Sequence, residues 1–171
     1  MAELGTRWAN VRELLEESPE FHTSLRAIEP PGDGAALDGT VSAPSWLTAL
    51  AEAAYLVATA DGIPPDADRN AITEGLVEVS EGHLTPAHIE AAFARVSTAV
   101  HGEASKLLHE IALTVTDSSL QRAVILVALA AGIRNESISE RQNLVLHALA
   151  HAFGLSEGKL QSLIARARQV I

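Results

Sequence analysis

The chain has no cysteine, few aromatic residues and no long apolar run. Because cysteine is absent, disulfide bonds, thiolate metal sites and thiol nucleophiles are excluded. The longest apolar stretch, residues 123–133, has eleven residues, whereas a helix that crosses a bilayer needs about 20. The N-terminal residues lack the basic and apolar segments of a secretion signal. We therefore predict a cytoplasmic protein without membrane insertion.

Basic residues are also scarce, since 12 lysines and arginines stand against 22 aspartates and glutamates and the net charge is −10. A chain of this charge repels phosphate backbones and anionic lipid surfaces, so we expect no nucleic-acid partner. The length of 171 residues suits a single domain whose core needs no disulfide or structural metal.

The alanine-rich composition predicts an all-α fold, because alanine loses no side-chain entropy when it enters a helix. Apolar period and capping residues place helices at about 45–60, 66–80, 86–101, 103–116, 118–132, 138–153 and 156–170. The expected N-caps are Ser45, Asp66, Thr85, Asp117, Ser137 and Ser156. The glycines expected to end helices in the left-handed conformation are Gly62, Gly82, Gly132 and Gly154.

A helical arm is predicted before this domain, over residues 1–28, from apolar side chains spaced three to four residues apart. These side chains include Trp8, Val11, Leu14 and Leu15. Residues 29–45 contain three prolines and three glycines and predict a loop. The main domain then covers residues 46–171. The apolar face of the arm either packs onto this domain or joins copies of the chain into a homo-oligomer.

Two segments of the sequence repeat. Residues 55–63 match residues 125–133 at an offset of seventy, and residues 84–100 match residues 155–171 at an offset of seventy-one. We therefore predict two pseudo-repeats, about 45–100 and 118–171, that bury their apolar faces against each other. The helix near 103–116 connects them.

Three carboxylates cluster after the first long apolar helix, at Asp61, Asp66 and Asp68. Oxygen ligands of this kind suit Ca²⁺ or Mg²⁺, although the spacing is not that of an EF-hand loop. The alternative is structural, with Asp61 in the turn and the other two acids interacting with the amides and dipole of a helix N-terminus.

This corner resembles that of the TerB-like tellurite-resistance proteins. The resemblance rests on the segment Ala60-Asp61-Gly62, on Asp68, and on residues 152–156 (Ala-Phe-Gly-Leu-Ser) in the second half, and it covers about residues 45–171. It implies an all-helical, pseudo-duplicated domain of about seven helices whose paired acidic turns bind a divalent cation, often calcium. It also implies a role in stress response through protein partners, without an enzymatic reaction.

The second half departs from this pattern, because Ala131 stands where the repeat would place another aspartate. The acids nearby are Glu136 and Glu140. Glu140 is aligned with Asp68 at an offset of seventy-two and Arg141 at an offset of seventy-three, whereas counting back from Gly154 places Gln142 there. The predicted metal ligands are Asp61, Asp66, Asp68, Glu136 and Glu140.

The histidines and the possible nucleophiles of the sequence indicate a functional site less clearly than the aspartates do. His147 and His151 are four residues apart on one predicted helix and could share a metal ion, or they belong to its solvated face. Ala148 occupies the place of the glutamate that a metalloprotease motif requires. We therefore predict no catalytic residues and expect a binding module. The alternatives are a metal-free scaffold or assembly protein that keeps the fold, and a small metal-dependent enzyme.

Overall fold

The computed structural model describes residues 2–28, 43–99, 102–133 and 137–170. Within these ranges the chain forms nine α-helices and no β-strand, which confirms the prediction of an all-α fold. The helices are α1 (Ala2–Glu16), α2 (Pro19–Arg26), α3 (Ser45–Ala58), α4 (Asp66–Val79), α5 (Pro86–Ala99), α6 (Ala104–Thr114), α7 (Ser118–Gly132), α8 (Glu140–Ala152) and α9 (Glu157–Val170). None of these helices has the length and apolar character that a membrane span requires. Most of the predicted loop, residues 29–42, lies outside the described ranges.

From α3 onward, each helix starts within two residues of its predicted start. Asp117 is the N-cap of α7, where its carboxylate accepts hydrogen bonds from the backbone amides of Ser119 at 2.8 Å and Leu120 at 3.0 Å. The cap of α8 is Ser139 rather than the predicted Ser137, and it forms a capping box with Gln142.

Prolines replace two of the expected caps. Pro44 precedes α3 and Pro65 precedes α4, so Ser45 and Asp66 are the first helical residues instead. Proline fixes the backbone angle φ and has no amide hydrogen, which allows it to start a helix without a side-chain cap.

The core is built around α3 and α7, which pack against each other more extensively than any other pair of described helices. Gly132 is the last residue of α7, and a Cβ atom there would lie 2.6 Å from Val57 Cγ1 on α3. The prediction of a left-handed turn at Gly132 is therefore wrong, because this glycine allows close helix packing. Left-handed or otherwise positive φ angles occur at Gly62, Gly82 and Gly154.

The N-terminal helices pack onto the rest of the chain. Trp8 is 2% exposed and lies against Gly75 of α4, where a Cβ atom would come within 2.0 Å of Trp8 Cδ2. Arg12 pairs with Glu78 at 3.9 Å, which joins α1 to α4 at the surface. The apolar face that was considered for homo-oligomer formation is thus buried in the chain's own core.

Candidate functional site

The acidic corner, residues 61–68, connects α3 to α4. The backbone amide of Gly62 donates to the carbonyl oxygen of Thr59, and the φ of +120° at Gly62 turns the chain out of α3. Pro64 is buried and anchors the corner to the core. This geometry follows from the residue types, because glycine tolerates positive φ and proline restricts the chain that leads into α4.

The three aspartates of this corner face different surroundings. Asp61 and Asp66 are exposed, and Asp68 is half-buried. Asp66 and Asp68 lie in the first turn of α4, where a negative charge interacts favourably with the helix dipole. The structure thus places the three acids on one short segment and leaves two of them open to solvent.

Only one of the two candidate metal ligands in the second half lies within the described residues. Glu140 is the first residue of α8 and is exposed, whereas Glu136 lies outside the described residues. Gln142, which the count back from Gly154 aligns with Asp68, is 2% exposed, and its Oε1 accepts a hydrogen bond from the Ser139 amide at 3.0 Å. Within the described ranges, no three acidic or histidine side chains approach closely enough to hold a metal ion together.

The two histidines of α8 lie in different surroundings. His147 Nδ1 lies 3.1 Å from Glu157 Oε2 on α9, and Glu157 also accepts a hydrogen bond from Gln161. His151 is exposed in the last turn of α8. His147 therefore joins two helices at the surface, as expected for a residue on the solvated side of α8.

A buried charge network lies at a place that the sequence analysis missed. The Glu52 side chain on α3 is 4% exposed, and Arg95 Nη1 on α5 donates to Glu52 Oε1 at 2.7 Å. The other terminal nitrogen of Arg95 pairs with Glu110 on α6. This network of Glu52, Arg95 and Glu110, called the Arg95 network below, connects three helices.

Burial determines the protonation behaviour of Glu52. Desolvation raises the pKa of this carboxyl above 4.5, although the Arg95 guanidinium opposes the shift. A carboxyl with a raised pKa exchanges its proton nearer to neutral pH and is a recurrent feature of functional sites. The hydrogen-bond partner of Glu52 is a guanidinium and not a hydroxyl, so the geometry resembles a binding or structural ion pair more than an activated nucleophile.

The sequence did contain a signal for this network. Glu52 is the one charged residue of α3, in the segment SWLTALAEAAYLVA. A carboxylate in a helix that is otherwise apolar must find a partner, because an unpaired buried charge is costly. The partner, however, is 43 residues away in the chain and could not be identified from spacing.

A second group of polar contacts joins α3, α4 and α5. Tyr55 Oη lies 3.0 Å from Thr73 Oγ1, and the Arg69 guanidinium lies 4.7 Å above the centre of the Phe93 ring. Arg69 also pairs with Glu90 at 3.2 Å. Burial raises the pKa of the Tyr55 hydroxyl, so this phenol stays neutral and serves as a hydrogen-bonding group between α3 and α4.

Comparison of the chain with protein-family models, with curated protein sequences and with solved structures finds no match.

Proposed function

We propose that this protein is a non-enzymatic helical binding module of the TerB-like type. It acts in the cytoplasm through protein partners in a stress-related role, and its acidic corner is where a divalent cation binds. The observation that carries the proposal is the exposure of Asp61 and Asp66 on a short segment that turns at Gly62 and is anchored to the core by the buried Pro64. A fixed corner keeps its oxygen atoms available to a ligand without the entropic cost of ordering a loop.

Calcium is the ion that this corner suits better. Ca²⁺ accepts irregular oxygen coordination and completes its shell with water, whereas Mg²⁺ demands near-octahedral geometry. The two exposed carboxylates of this segment supply only part of a calcium shell. We therefore expect weak binding, with a dissociation constant of about 10⁻⁴–10⁻³ M, as in sites with few charged ligands.

Isothermal titration calorimetry with CaCl₂ and MgCl₂ tests this proposal. The wild-type chain should give saturable heat with calcium, and the double variant Asp61→Asn, Asp68→Asn should give none. Glu13→Gln is the matched control, because Glu13 is an exposed acid on α1 and its loss changes the net charge without touching the corner. A wild-type chain that is silent at millimolar calcium, or a double variant that binds as well as wild type, would contradict the cation assignment.

We also infer that the two halves of the main domain, about residues 45–100 and 118–171, arose by duplication, with about seven helices in all. Matching geometry supports this inference. Gly82 and Gly154 both have positive φ. Leu84 follows the first of these glycines and Leu155 the second, and each leucine precedes a helix of 14 residues, α5 and α9 respectively. The first helices of the two halves, α3 and α7, pack against each other, as expected for related units.

A metal-free scaffold is the second candidate, and one observation favours it. Ala131 and Gly132 stand where the second half would begin an acidic corner, but they are the last two residues of α7. The side chain of Gln142 is committed to the capping box of α8. The second half therefore lacks a described equivalent of the first acidic corner. In that case the acids of the first corner stabilise the start of α4, and the double variant Asp61→Asn, Asp68→Asn would be less stable without any change in calcium response.

A further inference from the structure

A surface cavity of about 520 Å³, wide open to solvent, lies beside the Arg95 network, between α3 and α6. Its volume is in the range of about 300–1,000 Å³ that is typical of small-molecule sites. Its wall includes Ala49 and Glu52 of α3, Arg95 of α5, and Glu110, Leu113 and Thr114 of α6. The acidic corner contributes no residue to this wall, so the cavity is a separate site.

Two hydroxyl groups of this wall, those of Thr48 and Thr114, are committed as donors. Thr48 Oγ1 donates to the Pro44 carbonyl at 3.4 Å, and Thr114 Oγ1 donates to the Glu110 carbonyl at 2.8 Å. A hydroxyl has one hydrogen and two lone pairs. Because each hydrogen is already used, these threonines can offer only acceptor oxygens to a molecule in the cavity. Ser45 at the same wall adds a hydroxyl that can either donate or accept.

The charged groups of the wall, like the threonine hydroxyls, favour a ligand that donates hydrogen bonds. Two carboxylates, Glu52 and Glu110, accompany one guanidinium, so the ionised network carries a net charge of −1. Arg95 directs its two terminal nitrogens to these two carboxylates. An anion that entered the cavity would meet both carboxylates and would have to compete with them for Arg95. A cation with several N–H groups meets acceptors instead.

An apolar surface lies next to these acceptors. The Leu113 side chain on α6 is 66% exposed, and Ala49 on α3 is buried at the cavity wall. Covering such a side chain with an alkyl group removes apolar area from water and is favourable. The site therefore combines an acceptor-rich, negatively charged end with an apolar wall.

We propose that this cavity binds a small alkylammonium ligand. The ammonium group donates to the carboxylate of Glu110 and to the acceptor oxygens beside it, and the alkyl chain lies against Leu113. Both the volume of the cavity and the complementary charge support a small organic amine as the occupant. The inference does not depend on the acidic corner, since the two sites share no residue.

A titration of the full chain with hexylamine hydrochloride, followed by ¹⁵N NMR, tests this proposal. We expect saturable shifts in the amides of α3 and α6 around the cavity. Glu110→Gln should weaken binding about tenfold, because a charge-assisted hydrogen bond becomes a neutral one. Leu113→Ala should weaken binding severalfold and, since this leucine is exposed, should leave the fold intact. Glu74→Gln, which removes an exposed acid on α4, is the control and should bind as wild type does.

Two further ligands make the result specific. Hexanoate has a similar alkyl chain with the opposite charge and should cause no saturable shift. A Gly-Lys-Gly peptide with blocked ends distinguishes a free amine from a lysine side chain of a protein. The proposal is overturned if hexylamine does not saturate, if Glu110→Gln and Leu113→Ala both bind it as wild type does, or if only the peptide binds.

Discussion

Burial sets the properties of Glu52 at the scale of the single residue. Its pKa is raised in the folded chain by desolvation, while in the unfolded chain the carboxyl titrates near its ordinary value of 4.5. Between these two pKa values the folded state still holds the proton that the unfolded state has released. Raising the pH through that interval therefore lowers the stability of the folded state.

The variant Glu52→Gln removes this titration and keeps the size of the side chain. We expect the free energy of unfolding of wild type, relative to Glu52→Gln, to fall as the pH rises above about 4.5 and to level off beyond the folded pKa. Urea unfolding of both proteins between about pH 4 and pH 8 measures this difference. Glu74→Gln should follow the wild-type curve. A difference between wild type and Glu52→Gln that does not change with pH would contradict the account.

Arg95 compensates the buried charge of Glu52 although its own side chain is 52% exposed. Arg95→Met should lower the free energy of unfolding by about 1–3 kcal/mol, less than for a fully buried pair because solvent screens the guanidinium. The same substitution should cost less in the Glu52→Gln background, where no charge needs a partner. A double-mutant cycle by urea denaturation measures this coupling, and additive effects would show that the pair does not interact.

Among the helices, the contact of α1 with α4 depends on the absence of a side chain at Gly75. Gly75→Ala would place a Cβ atom 2.0 Å from the Trp8 ring, so the indole has to move. We expect a loss of about 1–3 kcal/mol in the free energy of unfolding, although alanine is the better helix former. The matched control is Gly158→Ala in α9, where the added Cβ atom meets nothing within 4 Å and the substitution should be neutral or slightly stabilising. Thermal unfolding followed by tryptophan fluorescence compares the two, and equal effects would contradict this packing.

Local signals in the sequence were sufficient for the positions of the helices. Asp117 caps α7 as expected, because an aspartate before a helical stretch satisfies the free amides of the first turn. The prediction of a left-handed turn at Gly132 is wrong for a physical reason. A glycine at a helix end serves either a left-handed turn or a close approach between helices, and only the position of Val57 distinguishes the two.

At the scale of the whole molecule, the contacts that build the candidate sites are the part that sequence patterns could not provide. The acidic corner was found because Asp61, Asp66 and Asp68 are neighbours in the chain. The Arg95 network was missed because its members are 43 and 15 residues apart and meet only after α3, α5 and α6 have packed.

The N-terminal helices belong to the same core as the rest of the chain. Their buried side chains are Trp8, Val11, Leu14, Leu15, Phe21 and Leu25. Deleting residues 1–28 should therefore lower the melting temperature and expose the apolar surface of α4 and α7, which favours aggregation. Thermal unfolding and light scattering of the truncated chain measure both effects. A truncated chain with an unchanged melting temperature and unchanged solubility would show that these helices do not support the fold.

The proposed binding of a divalent cation at the acidic corner between α3 and α4 can be observed residue by residue. A calcium titration of the ¹⁵N-labelled chain observes this corner directly. We expect saturable shifts of the amides of residues 61–68 that disappear in the double variant Asp61→Asn, Asp68→Asn and persist in Glu13→Gln. Amides of residues 61–68 that do not respond to millimolar calcium, or shifts of equal size in the double variant, would contradict the proposed binding.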